Sequence, residues 1–432
     1  MAPDTPNNEP ARSLRLSIVE GAFYSAHVAI VNGALLTGHA LLLGANDFQL
    51  GLLTGMGTLA TLGSVAGALQ LGRRGRRKPM MLEALTLSRA IWLTLCLLPF
   101  LPLPADSRVA LLLAIVLIAA AAAQYADTGW MSWMTDLVPP PIRGRYFSWR
   151  SSILGAVGML SGCGAGWAYD RLKLTAGAER AFLPILLFSL ACAALSTVIF
   201  ARLWEPPLHG ERPLTLRHTL RLPLLHGPFR QLLVVCGLWA LATGVASPFF
   251  QPQMIKNLHM SYAGIGLYAA VAGVVTLAVQ PLWGHLIDRI GNRPVLMMNI
   301  IGVTGLPLLW LLARPDFLLP IWVDAILTGI FWPGILLTTF NLVMITAPQE
   351  NRSAYLAAYR LVTGLIAFAG ALLGGGIAYL LRDFSLHVAG LDLMNFHVLF
   401  VLSCVGRLTI WPFVRKLREC CELQFKEKRS GF

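Results

Sequence analysis

Ionisable side chains are rare inside the long apolar stretches of this chain, and four of them could do chemistry. Asp127 and Asp324 lie well inside two such stretches, and Glu20 and His27 lie in the first one. A charged group in hydrocarbon costs at least ~2.5 to 3.5 kcal/mol, so it is paired, faces a cavity or has a function. We treat these four as candidate proton-binding groups. For Asp127 a structural alternative stays open: an ion pair with an arginine such as Arg150, or a hydrogen bond across helices.

The first apolar stretch carries its polar residues on one side. Glu20, Tyr24, His27 and Gly38 are separated by steps of four, three and eleven residues, which return to nearly the same angle on a helix. A polar face of this kind is expected to point into a protein interior and away from lipid.

The elements that position these residues are long apolar helices. The chain has 432 residues, of which 56% are hydrophobic and 13% charged, and its mean hydropathy is +0.65. Soluble domains carry about 25% charged residues, so the sequence predicts an all-α membrane protein. Each apolar run reaches the ~20 residues that a membrane-spanning helix needs. The twelve runs are 17–43, 48–71, 80–103, 108–135, 147–169, 181–203, 229–253, 262–286, 295–313, 317–346, 354–381 and 394–414.

The net charge of +13 is distributed unevenly along the chain. Most Lys and Arg residues fall in every second connecting segment, as the positive-inside rule describes for membrane proteins. This alternation accounts for the basic charge without a nucleic-acid partner and predicts that both termini are cytoplasmic. The bilayer is the expected partner, and we expect a monomeric, multi-pass protein of the plasma membrane, here a bacterial inner membrane.

Enzyme and cofactor signatures are missing from the sequence. The seven cysteines have neither metal-ligand spacing nor a pattern that indicates disulfides. No HExxH, GxSxG or GxxxxGK[ST] motif occurs, so we expect no catalytic site, no metal and no cofactor. Because no nucleotide-binding loop occurs, any energy-requiring process would draw on an ion gradient or on a solute gradient.

A short basic loop, GHLIDRIGNRPV, joins the eighth and ninth runs. The glycines and charged residues of this loop are Gly284, Asp288, Arg289, Gly291 and Arg293. Glycines allow a tight reversal between two helices, and arginines hold the loop on one side of a membrane.

A degenerate copy of this loop occurs half a chain earlier. It contains Arg73, Gly75, Arg76 and Arg77, with Gly72 where the acidic residue would stand. Two copies at this separation predict two related halves.

This loop resembles the signature loop between helices 8 and 9 of the major facilitator superfamily. The resemblance implies twelve transmembrane helices in two pseudo-symmetric six-helix bundles that work by alternating access. A second repeat agrees with two halves, because aligning Pro139 with Pro348 brings Arg143 onto Arg352. By resemblance, these two arginines and both loop copies form the cytoplasmic gate.

The predicted domains follow from this arrangement. We expect a cytoplasmic tail at 1–16, an N-terminal bundle at 17–203, a cytoplasmic linker at 204–228, a C-terminal bundle at 229–414 and a cytoplasmic tail at 415–432.

In this superfamily helices 1, 4, 7 and 10 line the central cavity. The resemblance therefore implies that His27, Asp127 and Asp324 could bind a coupling proton or a cationic substrate. Other polar and aromatic residues of these helices are substrate-cavity candidates. They are Asn32, Gln124, Trp130, Trp133, Trp239, Gln251, Phe331, Trp332 and Asn341.

The expected function is secondary transport of a small organic solute with protons as the coupling ion. A partial antiporter motif, with Gly158, Gly162 and Gly166 present but Cys163 in place of proline, favours export. Proton-coupled uptake remains an alternative, as does a transport-inactive receptor or assembly partner on the same fold.

Overall fold

A computed structural model describes residues 9–74, 76–206, 221, 223–348, 352–388 and 391–415. Residues 1–8 of the predicted tail 1–16, residues 416–432 of the predicted tail 415–432 and residues 207–220 of the predicted linker 204–228 lie outside the described residues. Gly75 also lies outside them, and the side chains of Arg73 and Arg352 are not described.

Twelve long helical segments, numbered α1 to α12, follow one another through the described chain. Eleven of these are long and apolar enough to span a membrane. The remaining one, α5, has 34 residues but a more polar sequence. The predicted all-α transmembrane architecture is therefore confirmed. The bounds are α1 (Glu9–Val31 and Ala34–Leu42), α2 (Asp47–Leu59 and Leu62–Arg74), α3 (Arg77–Thr94), α4 (Ala105–Leu137), α5 (Arg143–Ala176), α6 (Ala178–Ala201), α7 (Gly227–Ala246, continued by short turns to Asn257), α8 (Tyr262–Ile290), α9 (Asn292–Thr304 and Leu306–Leu312), α10 (Leu319–Thr346), α11 (Arg352–Leu380) and α12 (Asn395–Arg415).

Helix α7 is broken near its end. The regular helix stops at Ala246, a 3₁₀ turn follows at Ser247–Phe249, and a π turn occupies Gln253–Asn257. Pro248 has no backbone N–H and cannot continue the hydrogen-bond ladder, so a break at this point is expected.

A small hairpin, which the sequence did not predict, separates α11 from α12. Strand β1 (Ser385–Val388) pairs antiparallel with strand β2 (Leu391–Met394), and His387 lies opposite Asp392. These two side chains contact each other through the His387 Nε2 and the Asp392 carboxylate.

The chain divides into two compact units. Unit 1 contains residues 1–214 and 251–270, and unit 2 contains residues 215–250 and 271–432. The predicted bundles placed 251–270 with the C-terminal half, whereas its contacts in the structure are those of unit 1. Each unit has a core of its own. Fully buried members are Leu98, Leu112 and Leu186 in unit 1 and Phe229, Val303 and Val414 in unit 2.

Candidate functional site

A cavity of about 230 Å³ lies inside unit 1 between α1, α3 and α4. Helix α4 contributes Ala119, Ala120 and Ala123, whose small side chains leave room beside the larger residues of α1 and α3. Ser88 of α3 donates a hydrogen bond of 2.9 Å to the Ala119 carbonyl oxygen and fixes the spacing of α3 and α4. The polar lining residues are Tyr24, His27, Asn32, Ser88, Arg89, Gln124 and Asp127.

Four of the predicted site residues thus come together at this cavity: His27, Asn32, Gln124 and Asp127. His27 is anchored, because one ring nitrogen lies 2.8 Å from the Ser189 hydroxyl on α6, and it is only 2% exposed. Asp127, in contrast, is exposed. Its carboxylate stands ten residues before the end of α4, which is ~15 Å along the helix at 1.5 Å per residue.

Arg89 is the residue of this cavity that the sequence analysis missed. It is 9% exposed, and its guanidinium lies over the Tyr24 ring, 5.5 Å from the centroid. None of its three side-chain nitrogens has a hydrogen-bond partner in the described chain. The sequence carries a signal for it, because a single arginine deep in an apolar run is costly in a membrane unless it is paired or faces a cavity.

Glu20 belongs to a different, tightly packed cluster. It is 6% exposed and accepts a hydrogen bond of 2.8 Å from Ser196 of α6. Arg150 of α5 lies 3.7 Å from the Glu20 carboxylate and 4.4 Å above the Trp130 ring. The arginine that the sequence offered to Asp127 therefore forms its ion pair with Glu20.

At the α3 end that carries the first loop copy, Arg77 is fully buried in an ion pair. Its Nη1 lies 2.6 Å from the Asp136 carboxylate, whose side chain is 31% exposed, and its Nη2 donates to the Pro206 carbonyl oxygen. Glu205 accepts from the backbone N–H of Arg77 at 2.8 Å, so a carboxylate caps the positive end of α3. Arg76 is exposed.

Arg143, the other predicted gate residue that is described in unit 1, caps a helix end. Its Nη2 donates to the Thr135 carbonyl oxygen at 2.8 Å and to the Val138 carbonyl oxygen at 3.3 Å. These carbonyls end α4 and have no partner within the helix, and a cation there also matches the helix dipole.

The signature loop itself is a one-residue connection in unit 2. Helix α8 ends at Ile290, Gly291 has φ +88°, and α9 begins at Asn292. Arg293 donates to the Arg415 carbonyl oxygen at the end of α12. A cavity of about 850 Å³ is lined by Asp288, Arg289 and Arg293. Asn341, a predicted substrate-cavity residue, lines this cavity and not the one in unit 1.

Asp324 lies in a second charged group inside unit 2. It is 3% exposed and acts electrostatically on Arg407, which is also 3% exposed. Arg407 donates to the Val303 carbonyl oxygen at 2.9 Å and lies 5.8 Å from the centroid of the Trp239 ring. Trp239 in turn packs edge-to-face on Trp332 at 5.9 Å.

Several predicted cavity residues serve packing instead. Trp133 is 1% exposed, belongs to an apolar core and donates its indole N–H to the Trp204 carbonyl oxygen. Phe331 lies against Gly302, where an added Cβ would approach its ring to 2.5 Å. Gln251 accepts a hydrogen bond of 2.7 Å from Thr37. These aromatic candidates thus lie in separate packed regions and do not line the cavity of unit 1.

Comparison with known proteins identifies one family model and several solved structures that are similar to this chain. Residues 232–411 match the family model of the Major Facilitator Superfamily. The fold of the whole chain resembles that of solved transporters. A mutant of the nucleoside transporter NupG has a TM-score of 0.72 at 9% identity, with 95% of this chain and 100% of that chain covered. No curated protein matches the sequence.

Two further structures agree. A bacterial homologue of the iron transporter ferroportin in an inward-facing state gives a TM-score of 0.70 at 13% identity, covering 96% of this chain and 99% of that chain. The xylose transporter XylE from E. coli gives 0.63 at 15% identity, covering 94% and 99%.

Over residues 232–411, less than half of the chain, the sequence thus matches the major facilitator family model, and the whole chain shares the fold of these solved transporters. The unit 1 cavity has the features of a small-molecule site: it is concave, and a few polar groups converge on it from three helices.

Proposed function

We propose that this chain is a proton-coupled transporter of a small organic solute, with the cavity of unit 1 as the substrate site and Asp127 as the proton-binding group. The observation that carries the proposal is an exposed carboxylate on the wall of a polar cavity within a membrane-spanning helix. A coupling group has to exchange protons with water in at least one state, and an exposed carboxylate can do so.

The other three proton candidates suit this role less well. Glu20 is engaged by Ser196 and Arg150. Asp324 is buried at 3% exposure beside the charge of Arg407. His27 is held by Ser189 and shares the cavity with Asp127.

The substrate is not given by the fold. Similar structures are described as transporters of nucleosides, of xylose and of peptides. We propose export as the direction, on the strength of the three glycines of the partial antiporter motif in α5. Uptake by the same site is the alternative that the flux measurement below separates.

A transport-inactive receptor is a weaker alternative. A receptor on this fold has no need of a cavity lined by an exposed acid and a buried arginine, and a collapsed apolar centre would serve it as well. We further propose a monomer in a bacterial inner membrane with both termini cytoplasmic, on the basis of the charge distribution among the connecting segments.

The test is flux in proteoliposomes with a pH-sensitive dye inside. Candidate solutes are added to wild type, Asp127→Asn and Asp383→Asn, the last being a control acid that is 91% exposed after α11. We expect solute-induced proton movement in wild type and in Asp383→Asn. Asp127→Asn should lose that movement by at least ~10-fold and keep solute counterflow, since binding and rocking do not need the proton.

Two results would contradict the proposal. Proton movement in Asp127→Asn at the wild-type rate would remove Asp127 from coupling. Solute flux in wild type that is indifferent to a collapsed pH gradient would remove protons from the mechanism. The sign of the gradient that accumulates solute distinguishes export from uptake.

A further inference from the structure

Four arginines are buried in the described chain, and one of them, Arg89, differs from the rest in its hydrogen bonding. Arg77 bonds to Asp136, and Arg150 pairs with Glu20. Arg407 donates to the Val303 carbonyl oxygen. Arg89 is as buried as Arg150, at 9%, yet none of its three side-chain nitrogens reaches an acceptor in the described chain.

A guanidinium in this position is costly unless something satisfies it. Burying an ion without a partner costs several kcal/mol, and arginine stays charged at any physiological pH. The Tyr24 ring lies 5.5 Å from the Arg89 guanidinium, and this contact supplies no hydrogen-bond acceptor to the edge that carries the N–H donors. The edge is the part of arginine that binds a carboxylate with two parallel hydrogen bonds.

Two acidic residues near Arg89, Glu20 and Asp127, restrict the kind of ligand that can bind to its guanidinium. Glu20 acts on Arg89 electrostatically, but its carboxylate is already held by Ser196 and Arg150. Asp127 lines the same cavity from α4. A ligand that brings its own carboxylate to Arg89 would complete the charge balance, with Asp127 either neutralised by a proton or facing a cationic group of the ligand.

We infer that Arg89 is the anion-binding group of the transport site, and that the substrate is a small organic monocarboxylate or a zwitterion that presents one carboxylate to Arg89. The inference rests on the proposed function, because it assigns the substrate class of the same cavity. A cavity of about 230 Å³ and a single arginine fit one carboxylate on a compact body and do not fit a polyanion. Trp92 and Tyr24 provide the apolar surface for that body.

The test measures binding and does not require transport. Purified protein in detergent is heated with pairs of probes in which a neutral amide group of similar size and shape replaces the carboxylate. The pairs, each probe at a chosen concentration of about 10 mM, are benzoate with benzamide, pyruvate with pyruvamide, and phenylalanine with phenylalaninamide. The variants are Arg89→Gln, Arg89→Lys and Arg360→Gln. Arg360 is an exposed arginine of α11 and serves as the matched control.

We expect at least one carboxylate to raise the melting temperature of wild type by ~2 °C or more, and its amide to have no effect. Arg89→Gln should weaken that carboxylate by about tenfold or more, since a charge-assisted bidentate pair is lost. Arg89→Lys should recover part of the binding, because a point charge remains without the fork. Arg360→Gln should bind as wild type does.

Three results would overturn the inference: no carboxylate stabilises wild type, the amides stabilise it equally, or Arg89→Gln binds the carboxylate unchanged. These failures differ from failure of the proposed function. A neutral solute that moves protons through Asp127 would refute the carboxylate and leave proton coupling intact. A carboxylate that binds at Arg89 but drives no flux would refute transport and leave the binding site intact.

Discussion

A buried arginine is stable in a membrane-spanning helix only where acceptors surround its guanidinium. Arg77 shows how many this chain provides: Asp136, Ser132 and the Pro206 carbonyl oxygen all accept from it. Loss of that side chain would remove the donor that the carboxylate and the carbonyl share. Most of the free-energy cost of breaking a buried pair comes from such groups that stay buried after their partner is lost.

The first prediction therefore concerns Arg77. Arg77→Ala should lower the free energy of unfolding by about 3 kcal/mol, the usual cost of breaking a buried ion pair. Arg76→Ala, an exposed neighbour, should change it by less than about 0.5 kcal/mol. Chemical denaturation in detergent micelles compares the two. Equal effects would mean that the Arg77 pair contributes nothing beyond a surface charge.

At the scale of single elements, the two loop copies have become different structures. The copy in unit 1 ends in Arg77, which forms a buried ion pair with Asp136 and begins a helix whose N-terminus is capped by Glu205. The copy in unit 2 is a tight connection through Gly291, with Asp288 and Arg289 exposed beside a cavity. Its two glycines also differ, because Gly291 has a positive φ and Gly284 lies inside α8.

The second prediction uses this difference. Gly291→Ala should destabilise the protein by about 1 to 2 kcal/mol, because a residue with a Cβ is strained at φ +88°. Gly284→Ala should stabilise it by up to about 1 kcal/mol, since the site is helical, a Cβ there meets nothing within 4 Å, and alanine is the better helix former. Melting temperatures that move in the same direction would contradict this assignment.

At the scale of the whole chain, the segment 251–270 stands out because it leaves its own half. Lys256 lies 3.1 Å from the Asp47 carboxylate, and Thr37 donates to Gln251. Gly266 approaches the backbone of Cys163 so closely that a Cβ would lie 2.9 Å from it. If the chain is a transporter of the alternating-access kind, as the resemblance implies, contacts of this kind form in one state and break in the other.

The third prediction tests whether these contacts hold the segment. Thr37→Val combined with Lys256→Gln removes one hydrogen bond and one partly exposed ion pair, each worth about 1 kcal/mol or less. In a background that keeps Cys163 and replaces the other cysteines by alanine, N-ethylmaleimide should label Cys163 several-fold faster. Arg382→Gln, which removes an ion pair after α11, should not change the labelling rate. Unchanged labelling in the double variant would show that the segment is held by packing alone.

The sequence by itself determined the solvent, the number of long helices and the family resemblance. These follow from composition and from local patterns: runs of ~20 apolar residues, the distribution of basic residues and the loop from Gly284 to Arg293. The break in α7 also has a local cause, because Pro248 interrupts the hydrogen bonds of its own helix wherever that helix is placed.

Only the tertiary structure decided which residues share a site. Asp127 and Arg89 lie on different helices, and Arg150 was equally available to Asp127 and to Glu20 until α1, α5 and α6 were packed together. A helical period tells which residues of one helix share a face, but not which neighbouring helix that face meets. For the same reason the sequence counted Trp133 among the cavity residues, whereas packing buried it in a core and left the cavity to Arg89, Tyr24 and Trp92.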